Sequence, residues 1–453
     1  MKVNFDISAG VVKPMHATNN GPVVPFKDTK FELPEDRHPF TSNFDKFKEA
    51  GIPYARTHDS SYYHRWGQEH VIDVYYIFPD FDADPTDPEN YDFTLTDAYV
   101  HSCKLAGAEV FYRLGHRIEH EIKKYGVHPP KDFKKWAMIC EHIIRHYTEG
   151  WANGYKFNME YWEIWNEPDL ATDETRISPT WTGTEEEFFE LYHITATHLK
   201  ECFPHLKIGG PALAGRLDWA ERFLAQLKAP LDFFSWHCYS RSVDRMGERC
   251  RMVRELLDKY GFNNAESILN EWNYVADWRG DDIVYSHEQR IKIKGAAFTA
   301  AAMSLCQYSP CDMLMYYDAR PNEFWNGMFD PMVIGRVLKG YYPFPMFDTL
   351  YRLGNAVKVE REEENVFISA AKNDTEAACL ITYFNDDDNA EAQSVAIDLS
   401  GFGGENGTEV EFYLLDETHD LELVGKATYF GNRFVPQLIF DNFASYLIKL
   451  KKI

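Results

Sequence analysis

The chain has 453 residues, of which 45% are hydrophobic, and a formal net charge of −24. That charge argues against nucleic acid and anionic membrane surfaces as partners, because both are polyanions. The N-terminus MKVNFDISAG has no apolar signal core and no stretch is long and charge-free enough to span a bilayer, so the expectation is a soluble, cytoplasmic chain.

From about residue 5 to 340, short apolar runs alternate with helical patterns. The predicted strands are Val3–Ile7, Pro53–Thr57, Glu109–Leu114, Tyr161–Asn166, Lys207–Gly210, Phe233–His237, Ser267–Glu271 and Met313–Tyr317. Amphipathic segments lie between them. One runs from about Lys131 to Tyr147, another starts at a Thr184/Glu187 capping box, and a third runs from about His287 to Cys306. Eight strands alternating with helices predict an α/β fold, a (β/α)8 barrel. The rival is a doubly wound open sheet, but no Gly-rich dinucleotide turn follows the first strand. The Asp59–Asp92 stretch reads as a large loop of the kind that shapes a pocket.

After about Pro345 the pattern becomes alternating and β-rich, with turn clusters at Lys372–Thr375 and Asn385–Asn389. This predicts two units. Residues 1–345 form the barrel and residues 346–453 a small antiparallel β-sandwich, which N-terminal residues could complete. The eight cysteines form no CxxC pair, and several fall inside predicted elements, so buried free thiols and a reducing compartment are expected.

Two glutamates carry the chemistry. Trp162-Glu163-Ile164-Trp165-Asn166-Glu167-Pro168-Asp169 ends an apolar strand at Asn166 and Glu167, and Ile268-Leu269-Asn270-Glu271-Trp272-Asn273 ends another at Glu271. Strand ends at the C-terminal rim are where barrel active sites gather. Paired carboxylates there suit glycosidic bond cleavage, one as general acid/base and one as nucleophile. Pro168 should hold Glu167 extended. A wall of Trp162 or Trp165 should desolvate it and raise its pKa. His58, His237 and His16 raise the question of a metal, but no HExxH or paired-His spacing exists, so neither metal nor cofactor is expected. Asp59 and Asp318 are candidate polar contacts, and Arg113, Arg117 and Arg320 are candidate clamps for a uronic carboxylate.

The Trp-Glu-Ile-Trp-Asn-Glu-Pro-Asp-Leu run at 162–170 resembles the acid/base strand of clan A glycoside hydrolases, and is most similar to family 39, that of β-xylosidases and α-L-iduronidases. Arg56-Thr57-His58, Pro129–Phe133, Ile208–Ala212, Phe234–Tyr239 and Leu269–Asn273 follow the family's order. The resemblance implies Glu167 as acid/base and Glu271 as nucleophile. It also implies that Asn166 contacts a sugar 2-hydroxyl, that His58 contacts the glycone, that His237 and Tyr239 line the pocket, and that Tyr317, where the similar xylosidases carry Trp, stacks on substrate. The 318–327 loop is only loosely similar to theirs, and Trp325 in it is a further candidate substrate contact. The resemblance implies a retaining enzyme for a β-xyloside-like carbohydrate; the two strand-end glutamates and the long pocket-forming loop suggest exo action, and the β-sandwich could build a homo-oligomer. Asn270 stands where the xylosidases have Thr, and the 59–92 loop differs from theirs. The sugar therefore stays open among xyloside, α-L-iduronide, arabinoside and galactoside, with a non-catalytic carbohydrate-binding barrel as the rival.

Overall fold

The computed structural model describes residues 1–22, 43–58, 70–170, 177–321, 324–333 and 335–453. Asp59, and the first part of the loop predicted from it, lie outside the described residues.

Strand β1 (Lys2–Val11) precedes the barrel. Eight parallel strands then close on themselves: β2 (Ala17–Asn19), β3 (Tyr54–Thr57), β4 (Glu109–Leu114), β5 (Tyr161–Ile164), β6 (Lys207–Leu213), β7 (Phe233–Ser240), β8 (Glu266–Tyr274) and β9 (Met313–Tyr316). The helices are α1 (Phe44–Glu49), α2 (Val74–Ile77), α3 (Thr94–Leu105), α4 (Phe133–Thr148), α5 (Glu185–Cys202), α6 (Leu217–Gln226), α7 (Val243–Lys259), α8 (Gly280–Arg290), α9 (Ile293–Gln307) and α10 (Pro343–Leu353). Among the described residues, no helix is long and apolar enough to cross a membrane.

Local chemistry explains several boundaries. Asp132 caps α4 by accepting from the Lys134 and Lys135 amides. Thr184 and Glu187 form a complete capping box on α5. The third predicted helix is instead two, α8 and α9, with a break at Ile291 and Lys292. Helix α9 is Ala-rich and buried almost all round, because it lies between the barrel and the second sheet.

The first predicted strand needs correction. Val3–Ile7 does alternate, but β1 pairs with C-terminal strands and not with the barrel. The first barrel strand is the three-residue β2, too short to carry a periodic signal.

The C-terminal strands are β10 (Asn355–Glu360), β11 (Val366–Lys372), β12 (Glu376–Tyr383), β13 (Gln393–Ala396), β14 (Asp398–Ser400), β15 (Thr408–Leu415), β16 (Asp420–Tyr429), β17 (Arg433–Phe434), β18 (Gln437–Phe440) and β19 (Ala444–Lys452). They form a nine-stranded sheet in the order β16-β15-β19-β12-β11-β10-β1-β14-β17, plus the pair β13-β18. The sheet is antiparallel except where β1 meets β14. It curls until its two ends meet, with Tyr429 and Phe434 stacked at 5.1 Å. One face encloses a core with Val3, Phe5, Ile368, Cys379, Ile381 and Phe440. The other face packs Phe367, Leu380 and Leu447 into the barrel's own core cluster.

Candidate active site

Period-2 alternation sends Ala17, Phe111, Tyr161, Phe233, Ile268, Met313 and Met315 into one buried cluster inside the barrel. One step further toward the C-terminal ends of the strands, polar groups replace this apolar layer. Arg56 on β3 is wholly buried and stands at the centre. Its Nε donates to Glu163 at 2.7 Å and its Nη2 to Asn166 at 2.7 Å. Its Nη1 donates to Asn19 at 2.9 Å and to Glu271 at 2.8 Å. Glu163 also accepts from Asn270 Nδ2 at 2.5 Å. These partners come from β2, β3, β5 and β8 and from the residues just beyond β5, so they can meet only inside the barrel.

Two backbone irregularities bring the glutamates in. Alternation would put Asn270 and Glu271 on opposite faces of β8. A bulge in the β7–β8 register pairs Trp236 with Leu269 but His237 with Glu271, so both residues reach the interior network. After β5 the chain takes left-handed φ at Trp165 (74°) and Glu167 (49°), a costly backbone for residues other than glycine. Surrounding bonds hold it there. The Glu167 amide donates to the Ala212 carbonyl at 2.9 Å, and Thr180 Oγ1 donates to the Glu167 carbonyl at 2.6 Å. The Asp169 carboxylate accepts from the amides of Ala214, Gly215 and Arg216. Glu167 is therefore not extended as predicted; tertiary hydrogen bonds outweigh the proline's local preference.

At the rim, a carboxylate oxygen of Glu167, a ring nitrogen of His237 and a carboxylate oxygen of Glu271 all lie within 4.8 Å of one another. His237 Nδ1 is 2.7 Å from Glu167 Oε1 and 3.5 Å from Glu271 Oε2. Tyr239 donates to Glu271 Oε2 at 3.0 Å, and His58 Nε2 is 3.4 Å from Glu271 Oε1. The Asn166 Oδ1 is taken by Arg56, and its buried Nδ2 has no hydrogen-bond partner among the described residues. Burial pushes the Glu271 carboxyl above its ordinary range; His237 and Arg56 pull it back, and Glu167 adds to the rise. Burial lowers the His237 imidazole, and it lifts the Tyr239 phenol well above its usual value.

Tyr317 is 6.1 Å from His58 between ring centroids, and Trp325 is 5.3 Å from Tyr239 and 6.1 Å from Tyr317. The eight residues singled out from the sequence thus come together. Others do not. His16 precedes β2, at the opposite end of the barrel, and packs on Phe347 and Tyr351. Trp162 and Trp165 do not wall the site. Trp162 stacks on Tyr112 at 5.1 Å, and Trp165 packs with Trp136 and Trp181 outside the barrel strands. The three candidate carboxylate clamps already hold carboxylates: Arg113 pairs with Asp73, Arg117 with Glu121, and Arg320, which does reach the site by donating to the Tyr317 hydroxyl at 3.2 Å, with Asp318.

The sequence reading missed the role of Arg56 and Glu163. A signal existed, since each charge interrupts an apolar barrel strand, and a buried charge must be paired. Glu167, His237 and Glu271 have the donor types to chelate a cation. The Arg56 guanidinium, 2.8 Å from Glu271, opposes one by placing a fixed positive charge there. Glu141, His198 and Cys202 form a second cluster between α4 and α5, where Arg145 likewise binds Glu141.

A closed (β/α)8 barrel with paired carboxylates at its C-terminal rim is the class that fold and site define. The sequence model described as Glycosyl hydrolases family 39 matches residues 70–275, which include both glutamates. A β-xylosidase from Geobacillus stearothermophilus is 30% identical over 214 residues, covering 40% of this chain and 41% of that protein. The chain thus aligns with less than half of that relative's length. Among solved structures, a glucosidase from Croceicoccus marinus superposes with TM-score 0.75 at 21% identity, over 100% of this chain and 98% of that one. A monomeric β-xylosidase from Caulobacter crescentus gives TM-score 0.70 at 16% identity, over 100% and 99%. Residues 70–275 of the chain thus resemble glycoside hydrolase family 39.

Proposed function

We propose that this protein is a retaining, exo-acting glycoside hydrolase for a β-xyloside-like sugar, with Glu271 as nucleophile and Glu167 as general acid/base. The observation that carries the proposal is the closeness of the two carboxylates, whose oxygens lie within 4.8 Å. Retaining enzymes hold their carboxyl groups ~5–5.5 Å apart, whereas inverting ones need ~6.5–9.5 Å to admit a water. A nucleophile must be ionised. Arg56 and the Tyr239 hydroxyl each hydrogen-bond the Glu271 carboxylate and so favour its charged form. Glu167 would protonate the leaving oxygen and then activate water. The unpartnered Nδ2 of Asn166 suits a sugar hydroxyl.

The reaction belongs to the barrel unit, residues 1–345, with 346–453 as an accessory unit that the N-terminal strand completes. Two of the three similar proteins named above are β-xylosidases and the third is a glucosidase, which supports a xyloside first and a glucoside next. A uronide fits less well, because the candidate arginines already hold carboxylates. Aryl xyloside, arabinoside, galactoside, glucoside and iduronide, compared by chromogen release, test the sugar. For the roles, Glu271→Ala should abolish hydrolysis, and azide should restore turnover to a glycosyl azide of opposite anomeric configuration. Full activity in that variant would refute the assignment and leave the non-catalytic carbohydrate-binding barrel as the better reading.

A further inference from the structure

A series of rings leads outward from Glu271. Tyr239 bonds the nucleophile's carboxylate at 3.0 Å. Trp278, in the loop between β8 and α8, lies 5.2 Å from the Tyr239 ring and 5.6 Å from the Trp325 ring. Exposure rises along the series. Tyr317 is buried, Tyr239 and Trp325 are half-buried, and Trp278 is 56% exposed. A lone exposed tryptophan needs no explanation. This one continues an aromatic wall that begins at the reacting carboxylate.

The inner part of the wall, Tyr317 and Trp325, is also firmly mounted. Asn273, two residues after Glu271, donates its Nδ2 to the carbonyls of Tyr317 at 2.6 Å and Trp325 at 3.1 Å. The buried Arg290 guanidinium sits 3.9 Å from the Trp325 ring centroid. Trp278 packs against this anchored Trp325 ring and keeps an exposed face on which a ligand can stack.

We propose that Trp278, backed by Trp325, is a stacking platform for a second sugar ring of the substrate, adjoining the ring whose bond is cleaved. The ligand is recognised by the apolar face of a pyranose and not by a charge. This rests on the reading of Glu167 and Glu271 as the reacting pair. One ring beyond Tyr239 is the reach of one further sugar unit, so the substrate would be an oligosaccharide and not only a monosaccharide glycoside.

The test compares two kinds of substrate built from the sugar that the wild type hydrolyses. One is the glycosyl fluoride, which has no second ring; the other is the corresponding di- and trisaccharide. In Trp278→Ala, the ratio of kcat/KM for oligosaccharide to that for fluoride should fall roughly three- to tenfold, the worth of one aromatic contact. Trp278→Phe should recover most of the ratio. A ratio is insensitive to the fraction of folded protein, so a poorly folding variant still reports. An unchanged ratio would overturn the platform while leaving the glycosidase reading intact. A wild type inert toward every fluoride and oligosaccharide would instead overturn the glycosidase reading.

Discussion

Arg56 joins the site's four anchoring side chains at a point that water does not reach. Removing its charge leaves Glu163 and Glu271 buried without compensation, which costs ~3–5 kcal/mol for a broken buried pair. Arg56→Gln should therefore lower thermal stability. It should also move the acid limb of kcat/KM to higher pH, because Glu271 loses one of the groups that lower its pKa. An acid limb that stays in place would show that Arg56 does not tune the nucleophile. Glu167→Ala should spare substrates with good leaving groups and slow poor ones by about 10²–10⁴-fold, the usual worth of general acid catalysis. A plot of rate against leaving-group pKa reads this directly. Both glutamates stood out in the sequence as polar ends of apolar strands. What placed them face to face was not legible there. The bulge at Asn270 and the left-handed turn at Glu167 depend on contacts with β7 and with Ala212, which lie far away along the chain.

At the scale of elements, local signals were the most readable. The capping box that starts α5 needs only Thr184 and Glu187, and both bonds form, at 3.1 Å and 2.8 Å. Thr184→Ala should cost about 1 kcal/mol in chemical denaturation and leave kcat unchanged. Seven of the eight barrel strands were visible as apolar runs, because strands buried on both faces leave that trace. The eighth, β2, was not, since three residues hold no period. The Val3–Ile7 run was read as its substitute. It has the right pattern but belongs to another sheet, and periodicity names a strand without naming its neighbours. The break between α8 and α9 was missed for a related reason. The sequence stays helix-compatible through it, and only α9 is buried between the barrel and the second sheet.

For the whole molecule, β1 is the revealing element. It is first in the chain, yet it pairs with β10 and β14 and buries Val3 and Phe5 completely. Phe5→Ala should cost ~3–5 kcal/mol, as core phenylalanine truncations do. Hydrogen exchange should place the loss in residues 355–452 and not in the barrel. A second contact joins the units. Lys294 of α9 is 2.8 Å from Asp388, and Asp386 accepts from Tyr274 at 2.6 Å, three residues past Glu271. pH adds a further test. Burial lowers the imidazoles of His16, His237 and His116, the last to about 4. Such a group takes up its proton in the unfolded chain first, so stability should fall as pH drops below ~6.5. His16→Gln lies away from the site and should flatten this dependence between pH 7 and 5 in thermal melts. An equal slope in that variant would remove His16 from the account.

The central claim concerns the short gap between Glu167 and Glu271. Its most direct test is proton NMR of the first-formed sugar during hydrolysis, read before mutarotation. Retention of the anomeric configuration is the predicted result. Inversion would mean that a water fits between the carboxylates, and would contradict both the geometry and the roles assigned to them.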